Sequence, residues 1–108
     1  MVEYNSVSGY PSQVIELLNR KIGQYKRAYI HVKIGITGQD PQDRFNQHRQ
    51  EIQWERMIVI YESSSADHCN LLEAWLVEQH YNEVTNVRQG GSSELSVPGK
   101  NYVYVLLM

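Results

Sequence analysis

Residues 28–37, AYIHVKIGIT, alternate without a break. Ala28, Ile30, Val32, Ile34 and Ile36 fall on one side, and Tyr29, His31, Lys33, Gly35 and Thr37 on the other. A strict period of two, with β-branched residues on the apolar side, predicts a strand that buries one face against a core. The opposite face then carries a tyrosine, a histidine, a lysine and a threonine. A strand needs sheet partners, and two further segments supply them. RMIVIY, residues 56–61, reads as one. NYVYVLLM at the C-terminus reads as the other, with Tyr102, Tyr104 and Leu106 on one face and Val103, Val105 and Leu107 on the other.

Helical signals separate the strands. Pro11 suits a first helical position, and Val14, Ile15, Leu17, Leu18 and Ile22 form an apolar stripe, so residues 10–26 are expected to form an added N-terminal helix fraying near Gly23–Lys26. Gly38 breaks the long strand. Asp40 is placed to cap and Pro41 to start a helix that runs to about Ile52, anchored by Phe45 and Ile52, with Arg44 and His48 sharing a face. Ser64–Asp67 resembles a capping box opening a helix to about Tyr81, whose buried face is expected from Cys69, Leu72, Trp75, Leu76 and Gln79, with Glu73 beside it. Residues 82–100 are polar, rich in Gly and Ser, and read as a loop. The expected architecture is α/β (α+β): one domain over 1–108, with a three-stranded sheet flanked by helices.

Composition narrows the class. With 42 % hydrophobic and 20 % charged residues, a chain of 108 residues can bury a core without disulfides. The lone cysteine, Cys69, lies in an apolar helical pattern and reads as a core residue. No apolar run reaches the ~20 residues of a membrane span, and residues 1–8 do not resemble a signal peptide, so a cytoplasmic protein with no membrane partner is expected. The net charge of −2 disfavours non-specific DNA binding by the whole surface, but leaves room for a local basic cleft. The four histidines and Cys69 lack zinc-ligand spacing.

The order of several short motifs resembles the GIY-YIG nuclease family. Lys33-Ile34-Gly35 resembles its Tyr-Ile-Gly strand in the Lys-Ile-Gly form. Arg44 and His48 resemble the pair on its following helix, Glu73 its metal-binding glutamate, and Asn86 the asparagine after it. The resemblance covers roughly residues 28–91. The family's first strand, Gly-Ile-Tyr, has no counterpart upstream of Lys33. Tyr102-Val103-Tyr104 resembles it better, which implies a circularly permuted order with residues 101–107 paired beside 28–37. Tyr29 is the fallback tyrosine.

The resemblance implies a metal-dependent endonuclease acting on DNA or RNA, with Mg²⁺ or Mn²⁺ held by Glu73. Tyr104 would be the base, Lys33 and Arg44 would stabilise charge, and His48 would assist. Tyr102, Tyr29, Thr37 and Asn86 would support them. The residue types suit that chemistry. In-line attack on a phosphodiester needs a base, a cation for the developing charge and help for the leaving oxygen. A tyrosine with its free pKa of ~10 needs a nearby ammonium to become a base, and Lys33 is the expected source. Each residue also has a plain structural reading: a solvated lysine, a surface Arg/His pair, a glutamate that snorkels. The rival expectation is therefore a catalytically inactive module of the same fold that binds nucleic acid or a protein partner. A third is a structural domain that pairs with a second copy of itself as a homodimer.

Overall fold

A computed structural model describes residues 2–80 and 99–108. Along these residues run β1 (Val2–Val7), α1 (Pro11–Ala28), β2 (Val32–Thr37), α2 (Pro41–Glu51), β3 (Arg56–Ser63), α3 (Ala66–Gln79) and β4 (Asn101–Leu107). The class is α+β, as expected. Among the described residues the sheet has four strands in the order β1-β3-β4-β2, one more than the sequence predicts. β1 and β3 are parallel; β3–β4 and β4–β2 are antiparallel. The C-terminal strand thus lies beside β2, with Lys33 opposite Leu106, Gly35 opposite Tyr104 and Thr37 opposite Tyr102.

The alternation seen in the sequence divides the sheet into two apolar faces. Val32, Ile34, Ile36, Val103, Val105 and Leu107 join α1 and α3 in the larger core, where Leu18, Ile22, Cys69, Leu72 and Leu76 are fully buried. Tyr104 and Leu106 join Phe45, Trp54, Met57 and Val59 under α2 on the opposite face. Each fully buried aliphatic side chain contributes roughly 1.5–3 kcal/mol.

Several local expectations shift. α1 continues to Ala28, and β2 starts only at Val32. Ala28–His31 mimic the period of two, yet Ala28 closes the helix, Tyr29 N–H donates to Tyr25 O, and Ile30 is 88 % exposed. His31 pairs with Met108 through backbone bonds in both directions, so the ladder is prolonged without strand geometry. Asp40 sits at the α2 cap position but makes no side-chain cap bond; Pro41 sets the start instead. Ile52 is exposed, and Phe45 alone of the two anchors α2. The α3 cap falls one residue later than expected: Ser65 Oγ accepts the His68 N–H at 3.2 Å. Trp75 and Gln79 lie on the exposed side of α3, and Glu73 and Val77 take their place in the interior. The helix turns its wider stripe toward the sheet by about one position, a choice that the apolar pattern alone leaves open.

Candidate functional site

β1 to β2 carry a cross-strand row on the α2 face: Tyr4, Val59, Tyr104 and Gly35 are successive partners. Gly35 matters because it lacks a side chain. A Cβ there would lie 2.5 Å from the Tyr104 hydroxyl oxygen and 2.6 Å from Cζ, so the ring rests across the glycine backbone. The phenol is thereby aimed at α2, where Arg44 and His48 lie one turn apart. His48 Nε2 and Tyr104 Oη are 2.7 Å apart, with the rings edge-to-face at 5.7 Å.

Burial and charge set the protonation of this pair. Burial lowers the His48 pKa, and the Arg44 and Lys33 charges lower it further, to about 4. His48 is therefore neutral at neutral pH, and in its Nδ1–H tautomer the bare Nε2 accepts the Tyr104 O–H. Tyr104 is 1 % exposed. Burial raises its pKa, Arg44 opposes the rise by hydrogen bonding and charge, and Glu73 adds to it. The direction is the reverse of the sequence expectation, in which a lysine ammonium lowers the tyrosine pKa. Desolvation outweighs the cations, and the Lys33 charge acts on His48.

Arg44 Nη1 donates to Gln47 Oε1 at 3.0 Å. Its Nε is buried and has no hydrogen-bond partner among the described residues. An unsatisfied buried donor of a guanidinium costs of order 1–3 kcal/mol or more. Gln47 has no place in the motif reasoning, although its i+3 spacing from Arg44 is the signal that could have pointed to it.

The remaining expected residues divide. Thr37 is fully buried, and its Oγ1 accepts the Gln39 N–H at 3.1 Å, tying the β2–α2 turn. Tyr102, its cross-strand partner, is half-buried on the Tyr104 face. Glu73 is 2 % exposed on α3, in the layer across the sheet from α2, and reaches Tyr104 through its charge. Tyr29 does not join the group. Its hydroxyl accepts from Arg56, which also makes an ion pair with Glu3 at 2.6 Å. Asn86 lies outside the described residues. Cys69 is a core residue whose thiol burial pushes up to about 12, which suppresses the nucleophilic thiolate.

No cluster of three or more His, Cys, Asp or Glu side chains that could hold a metal ion occurs among the described residues. A Mg²⁺ site can rest on a single carboxylate, with water and phosphate oxygens completing the shell. Glu73 fits by donor type alone: its carboxylate is a hard oxygen donor, but it is 2 % exposed and in the layer across the sheet from α2, and it acts on Tyr104 through its charge. No helix among the described residues is long and apolar enough to cross a membrane. Comparison of the chain with family models, characterised proteins and solved structures gives no match. The family resemblance therefore rests on the motif residues themselves.

Proposed function

We propose that the protein is a metal-dependent endonuclease related to the GIY-YIG family by circular permutation, with Tyr104 as the proton-accepting group for an attacking water. One observation carries the reading: the buried Arg44 Nε, which has no hydrogen-bond partner among the described residues, beside the His48–Tyr104 pair. A guanidinium with a spare donor, a second cation at Lys33 and a neutral histidine make a site that favours a phosphate oxygen. Tyr104 cannot start as a phenolate, because its pKa is raised. Neutral His48 supplies what is missing: as the water attacks, the phenol accepts its proton and passes its own to Nε2. Arg44 and Lys33 stabilise the charge that develops on the phosphate. Glu73 is the carboxylate that the resemblance assigns to Mg²⁺ or Mn²⁺, and such an ion, when bound, would polarise a phosphoryl oxygen.

A second reading has its own observation. Tyr104 is only 1 % exposed, which also suits a core hydroxyl satisfied by His48 in a non-catalytic binding module. Cleavage of plasmid and single-stranded DNA and of RNA, with Mg²⁺ or Mn²⁺, separates the two. Arg44→Ala should lose roughly 3 kcal/mol or more of barrier stabilisation, at least a hundredfold in rate. Its melting temperature should stay close to that of the parent. Arg44→Lys should restore little, since an ammonium lacks the planar fork. A parent inactive on every substrate and metal supports the binding module. An active Arg44→Ala removes Arg44 from the mechanism.

A further inference from the structure

At the end of the sheet where β3 stops and β4 begins lies an open cleft of about 440 Å³, separate from the Tyr104 group. Its side chains come from the β1–α1 turn, the β3–α3 turn and the start of β4. Tyr10 is 65 % exposed and meets the His68 ring edge-to-face, with centroids 5.6 Å apart. The opposite rim is an ion pair, Lys100 Nζ to Glu62 at 3.2 Å. The hydroxyls beneath are anchored as acceptors: Ser63 Oγ accepts the Ser65 N–H and Ser65 Oγ accepts the His68 N–H. These bonds fix the shape of the cleft. The rim charges cancel, so the cleft offers an aromatic wall and a polar but neutral edge. That combination suits a flat, uncharged heteroaromatic ring better than a phosphate.

The position relates the cleft to the proposed reaction. Tyr104, Tyr102 and Lys100 follow one another along β4, and four residues of strand span about 13 Å. A nucleic-acid strand advances ~3.4 Å per stacked nucleotide, and about twice that when extended. Measured along β4, Lys100 is thus about two to four nucleotide spacings from Tyr104.

We infer that this cleft holds an unpaired nucleobase of the substrate strand, stacked against Tyr10 with its polar edge toward Glu62 and Lys100. The inference rests on the nuclease reading for the identity of the strand, but the pocket can be tested without cleavage. It makes the preferred substrate single-stranded, or a duplex with a base turned out near the cut.

The test uses the full chain, labelled for NMR. Titration with deoxyadenosine, which carries a base and no phosphate, should shift the Tyr10 and His68 ring signals and the Lys100 amide. Deoxyribose 5-phosphate should leave them in place, and Tyr10→Ala, a change at an exposed side chain, should abolish the shifts. Loss of one stacked base should slow cleavage of a single-stranded oligonucleotide about tenfold when an abasic site is moved to the cleft position. In Tyr10→Ala the abasic site should make no difference. Absence of nucleoside-dependent shifts at Tyr10 and His68 overturns the pocket, as does an equal response to the sugar phosphate. Nucleoside binding by a chain that cleaves nothing leaves the pocket standing and removes the nuclease reading alone.

Discussion

The Tyr104 hydroxyl is held by a histidine that burial and two cations keep neutral, and this has a consequence for pH. A free histidine takes up a proton near pH 6.5, whereas His48 in the folded protein does so only near 4. Between these values the unfolded chain binds the extra proton and the native protein does not. Acidification through this window therefore favours unfolding, and above about pH 6.5 the effect is absent. Stability should fall as pH drops from 6.5 to 4. In His48→Gln, which can still bond the Tyr104 hydroxyl, that part of the slope should vanish; urea melts at several pH values read it. An unchanged slope would show that His48 titrates normally. The residue scale is also where sequence reasoning reached furthest. Lys33, Arg44, His48 and Tyr104 were legible because β2, α2 and β4 display them at fixed periods. The glycine of Lys-Ile-Gly was legible as a motif. Its reason was not: the Tyr104 ring across it comes from a strand 69 positions away in sequence, since 104 − 35 = 69.

Among the elements, β1 shows what a local pattern misses. VEYNSV mixes Glu3, Asn5 and Ser6 with few apolar residues, and among the described residues its one neighbour in the sheet is β3. An edge strand of this kind is read from its partners, not its composition. Here the Glu3–Arg56 ion pair and the parallel register with Met57–Val59 supply them. The turn from β1 into α1 is fixed from outside as well. Gly9 has φ of 125°, and its carbonyl accepts the Tyr61 hydroxyl at 2.5 Å. Tyr61 is fully buried, so Tyr61→Phe leaves that carbonyl without its protein donor while the ring stays packed. A loss of roughly 1–2 kcal/mol in global stability is expected. Hydrogen exchange should rise first in β1 and the first turn of α1. Uniform loosening of the whole sheet would instead mean that the bond does not act locally. The same element lines the cleft through Tyr10, so this substitution also loosens its aromatic wall.

On the scale of the whole molecule, the strand order β1-β3-β4-β2 puts both ends of the described chain at one end of the sheet. Val2 is opposite Met57, and Met57 is opposite Leu106. Two strand spacings separate them, about 10 Å, which a flexible linker of about four residues covers. A chain that starts at Gly99, passes through Met108 and the linker to Val2, and ends at residue 98 keeps every described strand pairing. It also places β4 ahead of β2, with β1 and α1 between them. It should fold with an unchanged far-ultraviolet spectrum and a single cooperative melt. Loss of the cooperative transition would mean that the native order of the elements is required for the sheet to form. What the sequence alone determined is the set of periodic elements and their two-sided character, because side-chain alternation in a strand and the stripe of a helix are local properties. Tertiary structure decided where α1 stops and β2 starts, which side of α3 faces inward, and that β1 belongs to the sheet. It also decided that Tyr104 is raised in pKa and His48 lowered. Those outcomes depend on desolvation and on partners distant in sequence, and neither is written in any local window of residues.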